Sequence, residues 1–182
     1  MRTAETIDIR PAALPAVDGG TAAVPVPMSW TPGELLSADD IRLDVEAATK
    51  REAIGRLADL LARRAGASKD HVTAALLRRE RLGPTYIGGG MAMPHGRVRQ
   101  SSDPAAAALR LSRSVDYGTT EDDTVDFLVG VAWPEAVPTG FVPALAEIWR
   151  LLRQPAVAAA VARAETPGEV QQALTAAGER RS

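Results

Sequence analysis

An α/β fold, with a mixed β-sheet sandwiched between helices, is what this sequence predicts, and three observations predict it. Apolar and polar residues alternate at 41–45, and largely apolar runs, broken only by Arg110 and Asp126, occupy 105–111 and 125–132, which marks strands. Apolar residues at helical spacing, opened by capping residues, lie between and after those strands. With 182 residues, 46% hydrophobic and 24% charged, the chain has the length and composition to bury one core.

Residues 1–33 hold Pro11, Pro15, Pro25, Pro27 and Pro32 with Gly19 and Gly20. Proline lacks a backbone donor and fixes φ, so an extended tail over 1–33 is expected, outside the fold. From Leu35 the character changes. Ile41, Leu43 and Val45 alternate with Arg42 and Asp44 as a half-buried strand. Thr49 and Glu52 form a capping box ahead of Ile54, Leu57, Ala58 and Leu61, and Gly66 ends that helix. Ser68 caps a second helix with Val72, Ala75 and Leu76 on one face, stopped by Gly83-Pro84. Met91–Met93 reads as a short strand closed by Pro94-His95-Gly96, followed by buried strands at 105–111 and 125–132. Val142, Leu145, Ile148, Trp149 and Leu152 recur on one face of a helix that tolerates Pro143 in its first turn. Pro155 opens a further helix, and Thr166 with Glu169 makes another capping box with Pro167 at the first helical position. The expected folded domain spans 34–178, with a C-terminal tail at 179–182.

Composition excludes whole classes of function. Lys and Arg number 21 against 23 Asp and Glu, a net charge of −2, without the basic excess of a general nucleic-acid binder. Cysteine is absent, which removes disulfides, thiolate nucleophiles and thiolate metal sites. Only His71 and His95 are available for histidine chemistry. No run approaches the roughly 18 apolar residues of a membrane span, and the N-terminus lacks a secretory pattern, so a cytoplasmic protein without membrane insertion is expected. Nothing points to a metal or an organic cofactor.

Residues 83–99, GPTYIGGGMAMPHGRVR, do not read as scaffold. Three successive glycines cost conformational entropy and suit a sharp turn or a close approach. Pro94 stiffens the approach to His95, and Gly96 is expected to leave space beside the imidazole. Arg78, Arg79, Arg81, Arg97 and Arg99 surround it in sequence against one acid, Glu80. Residues 116–135 hold Asp116, Glu121, Asp122, Asp123, Asp126 and Glu135 and no base. A basic rim around an imidazole suits a phosphoryl group, because guanidinium binds phosphate oxygens in a planar fork. On the residues alone, a structural histidine beside a solvated arginine face stays open as the alternative.

The stretch RRERLGPTYIGGGMAMPHGR resembles the phosphorylation-site region of the type-2 enzyme IIA proteins of the bacterial phosphoenolpyruvate–sugar phosphotransferase system. The mannitol/fructose branch is the nearer likeness, followed by nitrogen-regulatory paralogues. The likeness runs from about Leu35 to Leu174 and takes in LLSADDIRLDV and TPGEVQQAL. It implies a mannitol/fructose enzyme IIA-like fold and a phosphocarrier. His95 would accept a phosphoryl group from the phosphorylated carrier protein HPr and pass it to a cysteine of enzyme IIB for sugar uptake. Arg79 matches the family's active-site arginine, and Thr85 matches a Pro-Thr position where its hydroxyl would donate to phosphate. The lack of cysteine fits a IIA subunit separate from IIB. Two positions depart from the family pattern. Phe141 stands where a second histidine is usual, and Gly89 where Asn or Glu is common. The runner-up expectation is therefore a regulatory or binding domain of the same fold with impaired or no onward phosphoryl transfer. A hydrolase using His95 as base would need a nucleophile that the sequence does not offer. His71 is expected to be a surface or packing residue.

Overall fold

Residues 105–116 and 124–134 are apolar on both sides for most of their length, and only a sheet covered on both faces buries such segments. The computed structural model of the protein describes residues 35–118 and 123–179, and the expected tail at 1–33 lies outside them. The elements are β1 (Ile41–Val45), α1 (Lys50–Ala65), α2 (Lys69–Glu80), β2 (Tyr86–Gly88), β3 (Met91–Ala92), β4 (His95–Val98), β5 (Ala105–Asp116), β6 (Thr124–Pro134), α3 (Phe141–Leu152), α4 (Pro155–Arg163) and α5 (Pro167–Glu179). The strands make one mixed sheet in the order β1-β5-β6-β3-β2, with β4 also paired to β6. β1 runs parallel to β5, β5 antiparallel to β6, and β3 and β4 parallel to β6. This is the helix-sandwiched mixed sheet that the sequence predicts.

Strand alternation divides the core between two faces. Ala105, Ala107, Leu109, Leu128 and Ala132 pack with α1 and α2. Ala106, Ala108, Val129, Val131 and Trp133 pack with α3, α4 and α5. Two glycines bring the first pair of helices unusually near. A Cβ on Gly130 would stand 2.6 Å from Leu57 Cδ2 on α1, and one on Gly96 would stand 3.0 Å from the carbonyl carbon and oxygen of Ala75 on α2. Gly96 therefore makes room for the backbone of α2, not for the imidazole.

The helix ends follow the expected chemistry with one adjustment. Thr49 Oγ1 accepts from Glu52 N at 3.2 Å, Ser68 Oγ from His71 N at 3.2 Å, and Gly66 closes α1 at φ 59°. In both expected capping boxes the glutamate reaches one residue further back. Glu52 accepts from Ala48 N at 3.0 Å and Glu169 from Glu165 N at 2.8 Å.

Two readings are corrected. Pro94 does not end the pairing along β6; it interrupts it between β3 and β4. Having no N–H, it breaks the ladder, yet its carbonyl accepts from Val131 N at 3.0 Å and pairing resumes at His95. His95 thus begins a strand. On α3, Val142 and Trp149 are 70% and 42% exposed, while Ala144, Ile148, Leu151 and Leu152 are buried. Of the expected stripe, Ile148 and Leu152 do meet the sheet and Leu145 packs against the same core, so the buried face keeps those three, adds Ala144 and Leu151, and leaves Val142 and Trp149 on its outer flank.

Candidate functional site

His95 sits half-buried at the start of β4, and its two ring nitrogens face opposite kinds of partner. Nδ1 lies 2.8 Å from the carbonyl of Met93, which only accepts. Nε2 lies 3.1 Å from Nε of Arg79, which only donates. The pair admits one tautomer of the neutral ring: the proton on Nδ1 and the lone pair on Nε2. Burial holds the imidazole pKa below its ordinary 6.5, opposed by the Met93 carbonyl; the Arg79 charge lowers it further and Glu80 raises it. The ring is consequently neutral at neutral pH, with its lone pair on Nε2.

Arg79 reaches the ring because α2 lies flat on β4 at Gly96, one turn before the arginine. Its Nη1 donates to the carbonyl of Gly83 at 3.0 Å, which orients the guanidinium edge toward His95. Behind this pair lies a buried polar cluster. Glu80, 9% exposed, accepts from Lys50 Nζ at 2.6 Å, from Thr85 N at 3.1 and 3.2 Å, and from Thr85 Oγ1 at 2.5 Å. Lys50 also donates to the Tyr117 carbonyl at 2.9 Å and stands 4.3 Å above the tyrosine ring. Burial pushes the Tyr117 phenol well above its ordinary range, so it stays protonated.

The structure brings His95 and Arg79 together and places Thr85 elsewhere. Thr85 is 5% exposed, and its hydroxyl is given to Glu80 within the cluster behind the site rather than turned to the imidazole. Phe141 stands beside the histidine. Its ring meets the imidazole edge-on with centroids 6.0 Å apart and packs on Trp133 at 5.8 Å. The Arg97 guanidinium lies 5.2 Å over the Phe141 ring and donates to the carbonyls of Val137 and Pro138 at 3.0 and 3.1 Å.

The rim of five arginines becomes three. Arg78, Arg79 and Arg97 line the cleft at His95 together with Leu82, Phe141 and Val142. Arg81 faces a separate depression with Lys50 and Glu80, and Arg99 pairs with Glu135 at 3.3 Å. Gly89 lies in the exposed β2–β3 turn at φ 61°, and His71 is exposed in the first turn of α2. Of the expected acidic segment, Glu121 and Asp122 lie outside the described residues. Among the described residues, no helix is long and apolar enough to cross a membrane.

Sequence reasoning missed Glu80, Lys50 and Tyr117 as members of the site. A lone acid inside a run of arginines was the one available signal, and it pointed to Glu80.

The arrangement presents a neutral imidazole nitrogen and guanidinium donors in an open cleft. Comparison with known proteins extends it. The sequence model of the family described as phosphoenolpyruvate-dependent sugar phosphotransferase system, EIIA 2, matches residues 34–177. A nitrogen regulatory protein of Bradyrhizobium diazoefficiens is 31% identical over 125 residues, covering 69% of this chain and 82% of that protein. The crystal structure of the nitrogen regulatory protein IIA-Ntr from Neisseria meningitidis superposes with a TM-score of 0.73 at 26% identity, over 79% of this chain and 98% of that one. The mannitol enzyme IIA of Escherichia coli, in its complex with phosphorylated enzyme IIB, superposes with a TM-score of 0.67 at 26% identity, over 78% of this chain and 97% of that one.

Proposed function

The chain belongs to the EIIA 2 family of the phosphoenolpyruvate-dependent sugar phosphotransferase system, and from that premise we propose that it is a phosphocarrier using Nε2 of His95. The observation that carries this reading is the opposed hydrogen bonding of the ring: Nδ1 on the Met93 carbonyl, Nε2 toward Arg79. In the forward step Nε2 attacks the phosphorus of phospho-HPr. The Nε2–P bond forms, the bond to the donor's imidazole breaks, and its electron pair returns to that nitrogen. Positive charge develops on the His95 ring, and the Met93 carbonyl, accepting from Nδ1–H, offsets it. Arg79 gives up the lone pair and turns its donors to the phosphoryl oxygens, each such charge-assisted bond contributing about 1.5–3 kcal/mol. In the onward step a thiolate of enzyme IIB attacks phosphorus, and the pair in the breaking N–P bond restores neutral imidazole. Positioning and charge stabilisation do the work, as phosphoryl transfer requires. A mannitol- or fructose-type sugar system is the transport context we assign to this relay.

A second reading keeps the phosphohistidine but makes its presence a signal to another protein. The nitrogen regulatory relatives and the apolar Phe141 beside His95 favour it.

The test is phosphoryl transfer from phosphoenolpyruvate through enzyme I and HPr, read by intact mass. We expect one acid-labile phosphoryl group on the wild type and none on His95→Ala, and a slower, shorter-lived label on Arg79→Ala. Equal labelling of His95→Ala would sink the assignment. Passage of the label to the cysteine of a cognate enzyme IIB supports the transport relay; a stable label that is not passed on supports the regulatory reading.

A further inference from the structure

We propose that Glu80 is a positioning residue that sets which nitrogen of His95 is nucleophilic, acting through Thr85. The inference rests on the phosphocarrier reading of His95 and deepens it. Glu80 touches neither the imidazole nor the cleft. What it does is fix Thr85 in place, with both carboxylate oxygens on Thr85 N and one on Oγ1. Two anchors of the site depend on that hold. The carbonyl of Thr85 accepts from Met93 N at 2.9 Å, and the carbonyl of Met93 is the group that keeps the proton on Nδ1 of His95. Thr85 also closes the turn after α2, and that turn carries the Gly83 carbonyl on which Arg79 rests. The bonds form a closed circuit. Glu80 holds Thr85, Thr85 holds Met93, Met93 holds His95, and His95 faces Arg79, the residue before Glu80. Lys50 supplies the counter-charge that makes a buried carboxylate tenable, and is itself tied to Tyr117. Such a circuit makes the tautomer of His95 a property of a residue remote from the ring, as outer partners do for metal-bound histidines.

The experiment combines nitrogen-15 NMR of the His95 ring with the labelling rate, on the full chain of wild type, Glu80→Gln, Thr85→Val and Thr85→Ser. Two-bond nitrogen–proton couplings distinguish the tautomers without any phosphorylation. In wild type we expect the Nδ1–H form alone. In Glu80→Gln, which cannot hold Thr85 and Lys50 together, both tautomers should appear and labelling should slow by up to about 100-fold, the cost of misplacing a reacting group by an ångström. Thr85→Val should move in the same direction, and Thr85→Ser, which keeps the hydroxyl, should restore wild-type behaviour. A folded Glu80→Gln protein with a single Nδ1–H tautomer and wild-type labelling overturns the proposal. So does a slow Thr85→Val protein beside an unaffected Glu80→Gln protein, because the hydroxyl would then act on phosphate by itself. If Glu80→Gln fails to fold, the tautomer in Thr85→Val decides the matter: mixed supports the proposal, single overturns it. Wild type that takes no label would defeat the phosphocarrier reading, while the tautomer comparison would still judge Glu80.

Discussion

At Phe141 the chemistry of one side chain decides what the phosphorylated state can have. The ring gives His95 an apolar edge 6.0 Å away and offers no donor to a phosphoryl oxygen. Phe141→His places an imidazole there. One added charge-assisted hydrogen bond contributes about 1.5–3 kcal/mol, tenfold or more in the equilibrium toward phosphohistidine. The cost is the aromatic contact with Trp133 and the stacking under Arg97, about 0.5–1.5 kcal/mol for each aromatic pair lost. The phosphorylated fraction at a fixed phospho-HPr ratio should rise while Tm falls by a few degrees. A fraction unchanged in a folded variant would mean that position 141 does not face the phosphoryl group. His95 and Arg79 were legible because a histidine between proline and glycine and an arginine run are local signals. The partner of Thr85 has no such local signal, because a hydroxyl's partner is chosen in space: Glu80, five residues back, curls round the turn to meet it.

Between elements, the decisive contact is α2 on β4. A Cβ at Gly96 would meet backbone atoms of Ala75 at 3.0 Å, and a helix backbone cannot rotate aside as a side chain does. Gly96→Ala should push α2 off the sheet, costing about 1–3 kcal/mol as overpacking does, and should part Arg79 from His95. Gly130→Ala meets Leu57 and Leu61 at 2.6–2.9 Å on α1, the helix that does not carry Arg79. Both should lower Tm, but only Gly96→Ala should lower the labelling rate of the folded fraction. Equal labelling of the two would detach helix placement from Arg79 function. The same contact was not readable in advance. A glycine after a histidine looks like room for the histidine until a helix is seen across from it. Likewise the apolar face of α3 is wider than the strip that is buried: Ile148 and Leu152 lie within it as expected, and only packing on the sheet chooses Ala144 and Leu151 as its flank over Val142 and Trp149.

For the whole molecule, the second core face closes over Leu35 and Leu36, 1% and 2% exposed, which pack with α3, α4 and α5. Gln171 Nε2 on α5 donates to the Leu36 carbonyl at 3.3 Å and ties the two ends of the described chain together. We propose residues 34–178 as the folding unit. A chain shortened by residues 1–33 should keep the wild-type Tm. One shortened by 1–36 loses two buried leucines, each costing about 2–5 kcal/mol, and should melt far lower. Similar Tm values for the two would place the domain boundary elsewhere. The helices with their capping residues, the long strands, the mixed α/β class and the candidate phosphoryl acceptor can be read from local sequence, because periodicity, capping and motif chemistry act over a few residues; the short strands at Tyr86–Gly88 and His95–Val98 cannot. The tautomer of His95, the arginines that reach it and the partnership of Lys50, Glu80, Thr85 and Tyr117 are set by packing in three dimensions. Those depend on burial and on distances of a few ångströms between residues up to 67 positions apart, which no local pattern encodes.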